Sequence, residues 1–267
     1  MSRSSHFWLV FFALTVNGLL NIAHAEVITE RQAAEETGIK GLRLLGTGAQ
    51  SSRLTLLGIH MGYVGTDVTS ENGSYSCGAI SREIGYLSAE RIASVLLKLP
   101  GSSVTKFGLK YVILCSRLYG KRGERIGGFP VTRLNLLMLD TRETGKPSSH
   151  LDHSFLHELF HFMEIRSNAK QDKEWQNRFG EGYANSYSGR MGGRTKIGSG
   201  KRGFLNAYSE TYSHEERAEL FAHLLLKPTE VVTHIRLKDD ELLRRKTLYL
   251  AQKCERLFDI PISLPGI

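Results

Sequence analysis

The chain has 267 residues and carries 35 Lys+Arg against 27 Asp+Glu, a formal charge of +8. That length suits one compact domain, and past the N-terminus no apolar run is long enough to span a bilayer. Three cysteines, Cys77, Cys115 and Cys254, cannot all pair internally, and no CxxC is present, which argues against a cysteine zinc site.

At the N-terminus Arg3, an apolar run over residues 7–14 and Ala23-His24-Ala25 together read as a secretory signal, cut near Ala25. The mature chain is then expected to be secreted or periplasmic, a setting that permits a disulfide. Residues 26–75 form an N-terminal region of uncertain structure, broken by Gly46, Gly48 and Gly58, with a turn at Asn72-Gly73. The remaining residues, 76–267, read as the main domain. Ser88 is expected to cap a helix with Ile92, Val95, Leu96 and Leu99 on its apolar face, closed by Pro100-Gly101. Residues 110–118 read as a strand whose Cys115 is either a small apolar residue or a member of a disulfide, the pairing among the three cysteines staying open. Residues 129–139 read as a second strand, with Pro130 pointing to an edge position that could receive extended peptide.

A polar loop follows, and Ser149 is placed to cap a helix running to about Ile165. This helix carries His157-Glu158-Leu159-Phe160-His161, an H-E-x-x-H motif with apolar flanks. Residues four apart on a helix lie about 40° apart round its axis, so both imidazoles reach one metal ion. Glu158, one step round, can act as general base toward a metal-bound water, the arrangement of zinc proteases. His153 and His157 make a rival pair, but Ser154 stands where the base would be needed.

Residues 166–207 read as loop-rich, anchored by Trp175, Phe179, Tyr183 and Tyr187. The basic, glycine-rich stretch 188–203 reads first as a solvated loop and second as a flap over the cleft. Ser213 and Glu216 match a capping box, S-x-x-E, which would open the next helix and give Glu216 a structural task. Glu215, Ala218, Glu219, Ala222 and Leu225 then share one face. Two carboxylates among Ala and Leu are costly to bury without partners. Glu215 is therefore expected to be the third metal ligand and Glu219 to orient a ligand histidine; His214 and His223 compete as ligands. A last helix starts near Asp239 or Asp240 and buries Leu243, Thr247, Leu250, Cys254 and Leu257.

His157-Glu158-Leu159-Phe160-His161 followed by Tyr208 and by Glu215-Glu216-Arg217-Ala218-Glu219-Leu220-Phe221 resembles the catalytic domain of the anthrax lethal factor-like proteases, which include the secreted Pro-Pro endopeptidases. Their pattern is H-E-x-x-H, then a tyrosine seven residues before E-x-x-A-E-x-F. The resemblance implies that Glu215 binds zinc and that Tyr208 helps polarise the substrate carbonyl. The linker between the motifs is longer here, and Phe160 stands where the family often has glycine.

The expected fold is α+β and zincin-like: a small mixed sheet, an H-E-x-x-H helix and a C-terminal helical part. The expected activity is a secreted zinc endopeptidase with one Zn2+ per chain, held by His157, His161 and Glu215, with Glu158 and Tyr208 catalytic. Its partner is a protein or peptide substrate, with no nucleic acid and no membrane span. The competing readings are an exported zinc-binding protein without turnover and a basic polyanion or nucleic-acid binder.

Overall fold

The computed structural model describes residues 28–45, 53–55, 57–70, 73–141, 149–168, 172–187 and 196–267. The expected signal segment 1–25, and residues 188–195 of the basic loop, lie outside them. The fold is α+β, with a mixed sheet packed on a long helix and a helical C-terminal region.

The sheet contains β1 (Leu42–Leu44), β2 (His60–Val64), β3 (Val68–Thr69), β4 (Tyr75–Gly78), β5 (Tyr111–Gly120), β6 (Gly128–Val131) and β7 (Leu136–Asp140). β2, β5 and β7 are parallel neighbours, β1 adds antiparallel to β2, and β6 adds antiparallel to β7. The β3–β4 hairpin pairs with the far end of β5. The N-terminal region therefore contributes strands to the same sheet as β5. Tyr111-Val112-Ile113-Leu114-Cys115 is buried throughout because both sheet faces are covered. Val112 and Leu114 pack into the core formed with the central helices, whereas Tyr111, Ile113 and Cys115 face the cluster containing Ala33 of α1 (Glu30–Thr37). Cys115 is not a free apolar filler; it is disulfide-bonded to Cys77 on β4, and Cys254 is a buried thiol.

α2 (Arg82–Leu96) starts earlier than expected. Ser81 caps it, accepting from the Ile84 amide, and Ser88 is buried in mid-helix. The longer helix fits because Gly85 brings it against Tyr63 of β2. Pro100, expected to close this helix, instead precedes the short α3 (Gly101–Thr105). Residues 129–139 are two antiparallel strands, β6 and β7, rather than one. The chain reverses through a 3-10 turn at Thr132–Leu134, and Asn135 takes the left-handed conformation at φ 54°. Asparagine tolerates that region better than most residues. The edge position assigned to Pro130 holds, since β6 pairs with β7 alone among the described strands.

α4 (Ser149–Arg166) crosses the sheet, with Ser149 as its first helical residue rather than a residue before it. It is followed by α5 (Lys173–Phe179), α6 (Ser213–Leu226), α7 (Pro228–Lys238) and α8 (Glu241–Phe258). Asp240 caps α8 by accepting from Leu243 N at 3.0 Å. The expected stripe on α8 is buried apart from Leu257, which is half-buried, but Lys246 and Lys253 are buried as well. The predicted capping box does not form: Tyr212 occupies the cap position and Ser213 is already helical. Glu216 instead reaches a tertiary partner, accepting from Lys246 Nζ at 2.7 Å and from the Tyr183 hydroxyl.

Candidate metal centre

α4 places His157 and His161 one turn apart on the face that meets α6. Their Nε2 atoms lie 3.0 Å from each other. Glu215 enters from α6 and sets Oε2 2.9 Å from His157 Nε2 and 3.3 Å from His161 Nε2. Three donor atoms of the types that bind zinc thus converge on one point. Two neutral imidazoles and a carboxylate suit a borderline divalent ion, so the residues present fit a metal of that kind.

The surrounding shell is polar where the metal set needs it. Glu219, one turn along α6, lies with Oε1 2.9 Å from His157 Nδ1. Its Oε2 accepts from Asn206 Nδ2 at 2.7 Å. Burial opposes the charge of Glu215, yet hydrogen bonds to His157, His161 and His214 hold it well below the ordinary value of 4.5. Glu219 is likewise held low against its burial, first by His153 and then by His157. Both groups are anionic at neutral pH, the state a cation requires.

A cleft of about 510 Å³ opens onto the three donors. Glu158 lines it beside them, and β6 forms one wall through Gly128, Phe129 and Pro130. Gly128 makes that wall possible. A Cβ there would stand 2.7 Å from the Met138 carbonyl oxygen and 2.9 Å from Glu158 Cγ. Tyr208 lines the same cleft, its ring 6.0 Å from that of His157. All six site residues singled out in the sequence, His157, Glu158, His161, Tyr208, Glu215 and Glu219, are therefore brought together. His214, a competing ligand in the sequence, approaches Glu215 Oε1 at 3.5 Å, on the oxygen turned away from the histidine pair. His223, the other competitor, lies deeper, beside His153.

Tyr187 was not expected at the site. Its hydroxyl donates to Glu215 Oε1 at 2.7 Å, and its ring stacks on Tyr208 at 6.0 Å. Nothing in the local sequence marks it beyond its being one of several loop aromatics. Gly128 and Asn206 were missed for the same reason: their roles exist only where separate elements meet.

The helices bearing the site are tied by ion pairs, buried at Glu164 and half-buried at Arg91. Arg217 grips Glu164 through two nitrogens at 2.7 and 3.0 Å, joining α6 to α4. Lys253 of α8 donates to Glu164 at 2.7 Å and to Asp172 at 2.9 Å. Arg91 of α2 holds Asp152 of α4 by two bonds of 2.6 Å. No protein-family profile, curated protein or solved structure matches this chain.

Proposed function

We propose that the protein is an exported zinc endopeptidase of the zincin type, with the layout of the lethal factor-like proteases. The observation that carries this reading is the convergence of His157, His161 and Glu215 at a cleft that also holds Glu158 and is walled by an edge strand. Bound there, zinc would lower the pKa of a water and polarise a carbonyl. Glu158, in the cleft beside these donors, would be the base that takes a proton from water and gives it to the leaving amine. Tyr208 donates a hydrogen bond to the developing oxyanion. Glu219, whose Oε1 lies 2.9 Å from His157 Nδ1, would hold the ring with Nε2 toward a bound ion. The edge of β6 that no described strand pairs with would receive the substrate backbone in extended form and lay a peptide bond along the cleft. Glu158 in the cleft favours turnover over mere metal storage, which has no use for a base. The Cys77–Cys115 disulfide supports export, since such bonds persist in oxidising compartments.

The experiment is cleavage of an unbiased peptide library by the zinc-loaded protein, with and without chelator. Chelator-sensitive cleavage is expected. A folded, zinc-loaded protein that cuts no member would defeat the reading.

A further inference from the structure

The metal set is part of a longer ladder. His153, His157 and His161 follow one another at intervals of four on α4, and Glu215, Glu219 and His223 do so on α6. The two helices run in opposite directions, so His161 meets Glu215, His157 meets both glutamates, and His153 meets Glu219 and His223. Every member at the His153 end is buried: His153 is 4%, Glu219 0% and His223 2% exposed.

We infer that His153, Glu219 and His223 hold a second divalent transition metal ion, distinct from the one at the cleft. The donor set repeats the first, two imidazoles and one carboxylate, and its donor atoms are similarly gathered. His153 Nε2 lies 3.3 Å from His223 Nδ1 and 3.4 Å from Glu219 Oε2. Ligands bound at zinc distances and tetrahedral angles stand roughly 3.3–3.5 Å apart, so these spacings match the edges of a coordination polyhedron. One proton on His153 Nε2 cannot point at both neighbours, whereas a cation between the three attracts all of them. His223 Nδ1 also lies 2.9 Å from the Glu219 carbonyl oxygen. Metal loading therefore moves the His223 proton to Nε2 and breaks that hydrogen bond.

This second site differs from the first in what surrounds it. None of His153, Glu219 and His223 lines the cleft. Ser154 follows His153, so the position after the first histidine carries no carboxylate base. Such a site joins helices rather than turning over substrate, and it fixes Glu219, whose other oxygen lies 2.9 Å from His157 Nδ1. The inference goes beyond the proposed peptidase and does not depend on it.

The test is Zn2+ titration of the metal-free full-length chain against a chromophoric chelator, with elemental analysis after dialysis. Wild type is expected to retain two ions. His223→Gln and His153→Gln are each expected to retain one, and His161→Ala also one, lost in turn when it is combined with His223→Gln. Circular dichroism checks folding of each variant; if one histidine variant fails to fold, the other and the wild-type stoichiometry decide. Saturation of wild type at one ion that survives His223→Gln would overturn the second site and leave a hydrogen-bonded cluster. Retention of one ion by wild type and by His161→Ala, lost in His223→Gln, would instead support the buried site and reject metal at the cleft.

Discussion

Adjacent carboxylates on α6 meet different partners because a helix turns about 100° per residue. Glu215 faces the histidines of α4, and Glu216 faces Lys246 of α8. Glu215→Ala should sharply weaken metal binding at the cleft while leaving the fold, as read by chelator competition and circular dichroism. Glu216→Ala should keep that metal but leave buried Lys246 without its carboxylate partner. The expected cost is about 3–5 kcal/mol, well above the 0.5–2 of a lost helix cap, and urea unfolding would measure it. Glu158→Gln should bind zinc normally and lose peptide cleavage, because an amide cannot take the proton; near wild-type turnover would dismiss Glu158 as the base. The candidate metal ligands were legible because their spacing along each helix is local and periodic. The task of Glu216 was misread because S-x-x-E satisfies a local rule while its true partner lies 30 residues on.

At the scale of elements, α4 was recovered nearly whole, since a long apolar helix carrying a motif announces itself. The β6–β7 hairpin was not, because apolar residues on both sides of Asn135 disguise the reversal as one continuous strand. The wall of the cleft depends on that hairpin. Gly128→Ala would press a methyl group onto the Met138 carbonyl, which is backbone and cannot swing aside. β6 should move off α4, and peptide turnover should fall at least tenfold while zinc content is unchanged. Wild-type kinetics in this variant would show that β6 does not present the substrate. On α2, Ser81→Ala removes the side chain that accepts from Ile84 and should cost about 0.5–2 kcal/mol in urea unfolding, with metal content unaltered.

Across the whole molecule, two constraints act over long separations. The Cys77–Cys115 bond closes a span of 38 residues between neighbouring strands, and the loop-entropy relation gives about 4 kcal/mol for that length. Reduction, or Cys77→Ala with Cys115→Ala, should lower unfolding stability by that order. Spacing alone could not choose this pair from three cysteines; the pairing of β4 with β5 does. Asp172 supplies a pH dependence. Burial raises its pKa, but the Trp175 amide and Lys253 outweigh that and hold it below its ordinary 3.8. Its folded value is thus lower than its unfolded one, so its contribution is present above 3.8 and is lost as pH falls through the lower value. Acid unfolding curves of wild type and Asp172→Asn should differ above that range and converge below it. The overall class was legible from the helix and its motif, whereas the buried charges of α8 were not, because lysine ordinarily marks an exposed face. Those two lysines also follow every candidate ligand along the chain. A nascent chain that has emerged only to residue 240 already contains every candidate ligand, but Lys246 and Lys253 are still to come. Glu216 then has no cation from α8, and Glu164 has Arg217 alone. The helix face that carries the candidate ligands is thus tied to α8 only once residues 241–258 have been made.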